Sequence, residues 1–150
     1  MILCADTSFL LSFYGSDVNT AAALWHVQQH QVPLLIHDVS LLEFENAIRL
    51  QEFRGKLSMH EAVRIISGFQ TDIGAGRVVM TALSQPLLFQ TASRLSALHT
   101  RALGNRAYDI LQVAAALVAG ADEFLSFDER QRKLANAAGL ANAAGLAVNP

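Results

Sequence analysis

Four short runs centred on apolar residues punctuate the chain: Ile2–Ala5, Leu34–Ile36, Arg77–Thr81 and Glu123–Phe127. Brief apolar runs bounded by Pro, Gly or Asp predict buried strands. Between them the apolar residues fall into helical spacing. Thr7–Tyr14 predicts a short helix broken at Gly15-Ser16, and Asp17–Gln31 a second, with Ala21, Leu24, Trp25 and Val27 as its inward stripe. Pro33 marks the next boundary. Ser40 is expected to open a helix over Leu41–Phe53 that Gly55 stops. Ser58 with Glu61 three residues on is a capping box for a helix to about Phe69. Pro86 suits the first turn of a helix reaching about His99. Ala107–Val118 is apolar almost all round and therefore predicts a buried helix. Asp128 opens the last helix, and Leu146–Val148 is expected to add a fifth, edge strand.

Strands alternating with helices predict an α/β domain: a parallel sheet of four or five strands with about seven helices on its two faces. Residues 135–140 and 141–146 repeat the same six residue types. A six-residue step turns a helix by about 600°, so the two copies cannot share one apolar face. Only one of the two glycines is expected to end the helix.

Composition narrows the class. A chain of 150 residues suits one domain, 1–150, and 52% hydrophobic against 16% charged residues excludes disorder. The net charge of −2 gives no global basic field, so a nucleic-acid partner needs a local patch or a metal. Nine of the eleven cationic residues are Arg, which suits planar phosphate contacts. Cys4, alone and in an apolar strand, is expected to be an inert core thiol. There is no signal-peptide pattern and no apolar run of about 18 residues, so a cytoplasmic protein without a membrane span is expected.

Four acids stand where an α/β sheet presents its ligand-binding edge. Asp6 ends the first strand and Asp128 follows the fourth. Glu43 is expected in the first turn after strand two, and Asp109 in the first turn of the buried helix. Each alone reads equally well as a helix cap or first-turn charge. Converging without Lys or Arg, the four would repel one another, which a divalent cation would relieve. Oxygen-only ligands favour Mg²⁺ or Mn²⁺ over zinc. The five His residues are read as offering no HxxxH or HExxH pattern, so a zinc site is not expected. Asp38 either joins the cluster or is a turn acid, while Asp17, Asp72, Asp122 and Glu123 are expected in turns or on the surface.

The motifs Asp6-Thr7-Ser8, Leu42-Glu43-Phe44-Glu45-Asn46-Ala47, Arg106-Ala107-Tyr108-Asp109-Ile110-Leu111-Gln112-Val113-Ala114 and Phe124-Leu125-Ser126-Phe127-Asp128-Glu129-Arg130 together resemble the PIN-domain nucleases. They look most like the VapC toxins of bacterial type II toxin–antitoxin pairs. The resemblance implies a three-layer α/β/α fold with a mainly parallel sheet. It also implies an Mg²⁺- or Mn²⁺-dependent endoribonuclease, inhibited by a cognate antitoxin and often homodimeric. By that resemblance Asp6, Glu43, Asp109 and Asp128 match the acidic, metal-binding quartet. Ser8 and Ser126 match hydroxyls that orient it, and Arg106 is placed to meet the RNA phosphate. The runner-up is a PIN-like domain that has lost turnover and acts as an RNA- or protein-binding module. A DNA-directed nuclease stays open, because the metal site does not itself read a 2′-hydroxyl. A phosphoacceptor switch fits poorly, because Thr81, not an acid, follows the third strand.

Overall fold

A computed structural model describes residues 1–140. The chain runs β1 (Leu3–Ala5), α1 (Thr7–Tyr14), α2 (Thr20–His30), β2 (Leu34–Ile36), α3 (Asp38–Phe53), α4 (Met59–Gly74), β3 (Val78–Met80), α5 (Gln85–Leu103), α6 (Ala107–Val118), β4 (Glu123–Leu125) and α7 (Glu129–Ala137). The strands form one sheet in the order β3-β2-β1-β4, and all three pairings are parallel. β1 is thus central, and Leu3, Cys4 and Ala5 stand beside Glu123, Phe124 and Leu125 of β4.

Alternation along three-residue strands sends neighbours to opposite faces. Leu3, Ala5 and Leu125 join Phe9, Leu10, Phe44, Ile48 and Phe69 in one core, beneath α1–α4. Cys4 and Phe124 join Leu88, Leu95, Val113 and Leu134 in the other, beneath α5–α7. The outcome is the expected α/β/α sandwich, with four parallel strands between two helical layers. Burial pushes the Cys4 thiol up to about 12, so it stays protonated in the core.

Three departures from the sequence pattern matter. α3 begins at Asp38 rather than Leu41, because His37 takes the cap: its Nδ1 accepts the Val39 amide at 3.3 Å. Ser40 lies buried inside the helix instead. Glu43 therefore stands in the second turn of α3, not the first. α2 presents a different stripe from the one expected. Ala23 and His26 are buried, while Leu24 and Trp25 are about half exposed (41% and 49%). Finally, Glu123 is 7% exposed, not a surface residue.

The first of the repeated glycines, Gly139, takes φ +84° just beyond α7, the left-handed conformation that ends a helix cheaply only with glycine. The second repeat and the expected fifth strand lie outside the described residues. No helix among those described is long and apolar enough to cross a membrane.

Candidate active site

Parallel strands bring their carboxyl ends to one edge, and the chain leaves β1 and β4 there side by side. Asp6 follows β1 and caps α1: its Oδ1 accepts the Phe9 amide at 2.9 Å. The same oxygen accepts the Ser8 hydroxyl at 2.7 Å, and Oδ2 accepts Ser126 at 2.6 Å. Asp6 is thus the cap of α1 and stands at the carboxyl edge of the sheet as well. Only 1% of the residue is exposed. Burial pushes its carboxyl up to about 6. The hydrogen bonds from Ser126, Phe9 and Ser8 pull it back down, and the nearby Asp128 charge adds a smaller push upward.

Two hydroxyls join the strand ends. Ser8 Oγ accepts the amides of Phe127 and Asp128 at 2.9 and 3.2 Å. Ser126 Oγ lies 3.2 Å from Ser8 Oγ and accepts the Asp128 amide at 3.1 Å. Asp128 then caps α7, with Oδ1 accepting the Arg130 and Gln131 amides at 2.7 and 3.2 Å. Asp109, in the first turn of α6, reaches back with Oδ2 to the Arg106 amide at 3.0 Å. Gln131 Nε2 approaches its Oδ1 at 3.5 Å, so one glutamine touches both acids. Arg106, Asp109, Asp128, Glu129 and Arg130 line an open cleft of about 390 Å³. Asp38, exposed in the first turn of α3, is not among its walls.

Glu43 is held separately. Its Oε2 accepts the Thr7 hydroxyl at 2.6 Å and makes a close contact with Gln112 Nε2. Gln112 is buried and is the hub here. It also donates to Thr7 Oγ1 at 3.1 Å, and its Oε1 accepts the Thr7 amide and the Ser40 hydroxyl, each at 3.3 Å. Sequence reasoning passed over Gln112, Gln131 and Thr7 as working parts. The available signal for Gln112 was a polar side chain in an otherwise apolar helix, one turn from Asp109 and so on its side.

The donor set suits a hard divalent cation. Among the described residues, none of Asp6, Glu43, Asp109 and Asp128 is in an ion pair; only neutral groups serve them. One polar atom beside Asp109 and Asp128 has no partner, the buried Gln131 Oε1, and it too is an acceptor. That unmet acceptor calls for a hydrogen-bond donor or a cation. The four carboxylates are nonetheless more open than a closed cage. Among the described residues, the group of three donors found within 4.8 Å of one another is His26, His30 and Glu123, elsewhere in the fold. That group corrects the expectation from the histidines: His26 and His30 are four apart on α2, a spacing that was legible in the sequence.

A parallel sheet carrying this arrangement of acids at its carboxyl edge defines a recognisable class. Residues 3–137 match the PIN domain family, and the chain belongs to it. Among solved structures it is similar to VapC20 of Mycobacterium tuberculosis, a toxin that cleaves the sarcin–ricin loop. The two share 19% identity, with 99% of each chain covered and a TM-score of 0.66. It is also similar to PAE2754 of Pyrobaculum aerophilum at 14% identity, covering 99% of this chain and 97% of that one, with a TM-score of 0.61. No curated protein matches.

Proposed function

We propose that the chain is a single PIN-like nuclease domain and the toxin of a toxin–antitoxin pair. Its activity is hydrolysis of RNA phosphodiester bonds as an endoribonuclease that uses Mg²⁺, with Mn²⁺ able to substitute. The observation that carries this reading is the carboxyl edge of the sheet, where Ser8, Ser126 and Gln131 link Asp6, Asp128 and Asp109 and where, among the described residues, neither these acids nor Glu43 is in an ion pair. Family membership and the likeness to a toxin that cleaves the sarcin–ricin loop support it.

Asp6, Asp109 and Asp128 are the ligands that would hold the cation, with Glu43 beside them. The cation would supply Lewis acidity to the scissile phosphate and acidify the attacking water. The protein's own groups do the rest. Ser8 and Ser126 fix the Asp6 carboxylate, so its orientation is set before any ligand arrives. Thr7 and Gln112 occupy Glu43 Oε2, leaving Oε1 to accept a proton from the water. Arg106 and Arg130 on the cleft wall offer planar donors to the phosphate. In-line attack then leaves a 5′-phosphate and a 3′-hydroxyl.

The proposed setting is the cytoplasm, with a cognate antitoxin and a second copy of the chain as protein partners. Exposed apolar side chains on α3 and α4 support a protein-binding face: Leu42, Phe53, Met59 and Val63 are each at least 61% exposed. The open spacing of the acids favours one second reading, a PIN-like domain that binds RNA or protein without cutting.

Incubation of the purified chain with structured RNA separates the two. We expect cleavage with Mg²⁺ or Mn²⁺, none with EDTA, and none by a folded Asp109→Asn variant. RNA bound but left intact by the wild type in both metals would overturn the nuclease reading in favour of the second.

A further inference from the structure

On the far side of β1 from β2, the edge strand β4 carries a second set of ligand-type side chains, at its amino end. Glu123 opens β4 and is buried, and its Oε2 lies 3.2 Å from Nε2 of His26 on the inner face of α2. His30, one helical turn further, stands beside His26 with ring centroids 4.6 Å apart. One donor atom from each of the three falls within 4.8 Å of the others. His26 is only 6% exposed, yet its Nε2 has no aligned hydrogen-bond partner. His30 is half-buried, which leaves one side of the group near solvent.

We propose that His26, His30 and Glu123 form a zinc site that clamps α2 to the edge strand β4, with a fourth position open to water. The donor distance fits. Ligand atoms about 2.0–2.2 Å from a tetrahedral zinc stand roughly 3.3 Å apart, and the His26–Glu123 separation of 3.2 Å matches. The donor type fits as well: two imidazoles and a carboxylate suit zinc, whereas the oxygen-only set at the opposite edge suits Mg²⁺. The competing account is a plain buried ion pair. An ion pair of that kind would align the buried His26 Nε2 with a carboxylate oxygen, and that nitrogen has no aligned partner. A cation between the two groups meets both the nitrogen and the carboxylate.

The test uses the full chain stripped by a chelator and titrated calorimetrically with Zn²⁺, alongside thermal unfolding. About one zinc should bind per chain and raise the Tm. Asp109→Asn should bind zinc as the wild type does, which separates this site from the acidic cleft. His30→Ala should bind more than about tenfold more weakly, the order lost when a supported metal site is disturbed. Its zinc-free unfolding should match that of the wild type. Co²⁺ in place of zinc should give the visible bands of a four-coordinate ion in the wild type, a readout that needs no variant to fold. Absence of zinc binding by the folded wild type, equal affinity in His30→Ala, loss in Asp109→Asn, or six-coordinate Co²⁺ would each overturn the site.

Discussion

The two ends of β4 carry opposite kinds of chemistry. Its carboxyl end runs into Ser126 and Asp128, where carboxylates are gathered by hydroxyls, amides and glutamine side chains. Its amino end begins with Glu123, set against two imidazoles of one helix. At the carboxyl end the acids come from four segments, and two of them, Asp109 and Asp128, line an open cleft. At the amino end the donors are close and largely buried. The contrast shows how placement selects the ligand. Parallel strands collect loop and helix-start residues from along the whole chain, which favours an open site able to admit a large substrate. Two side chains one turn apart on a single helix make a small, fixed site better suited to holding a structure together.

The comparison can be broken most sharply at Asp109. Asp109→Asn should reduce RNA cleavage by about 100-fold or more, the scale of removing a functioning acid–base or ligand carboxylate, with unfolding unchanged. Equal losses of cleavage and zinc binding in that variant would merge the two sites into one.

Next in size is the pH dependence of Asp6. Its folded carboxyl titrates near 6, against an unperturbed value of 3.8. The group therefore stabilises the fold fully below about pH 4, and that contribution is lost as pH rises through about 6. In EDTA, wild type measured against Asp6→Asn by urea unfolding should gain up to roughly 3 kcal/mol in relative stability between pH 7 and pH 4. Saturating Mg²⁺ should flatten that difference, because a cation favours the ionised form. Zn²⁺ held at the other end of β4 should leave it unaltered.

Ser126→Ala should cost about 1–3 kcal/mol at pH 7, since it leaves the buried Asp6 Oδ2 without its donor. The smallest expected effect is that of His30→Ala on RNA cleavage measured with Mg²⁺, less than about twofold. A large loss there would show that the clamp supports the cleft after all.

How much of this was legible in the sequence depends on what set each feature. Asp6 and Asp128 were visible because a strand that ends in an acid is a local pattern, and α6 matches its expected span, Ala107–Val118, because its apolar run is unbroken. The start of α3 was hidden because Ser is a common cap, whereas here His37 does that work through a ring nitrogen. The inward face of α2 was misjudged for a related reason. Trp25 and Leu24 are the more apolar residues, but tertiary packing turned Ala23 and His26 inward, and hydrophobicity alone cannot report a helix that buries an imidazole. Gln112 was silent because its value lies in partners from α1 and α3, far away in sequence.

The serine joint between β1 and β4 also has a consequence for how the molecule is made. Ser126 reaches Asp6 across 120 positions of sequence, and Ser8 receives the amides of Phe127 and Asp128 across 119 and 120. Contacts of such separation form late, after the chain between them has been synthesised and collapsed. A growing chain that already contains Asp6, Glu43 and even Asp109 still lacks the strand that orients the first of them. The carboxyl edge is therefore assembled only as β4 docks beside β1, and until then Asp6 lacks the hydroxyl that fixes its Oδ2.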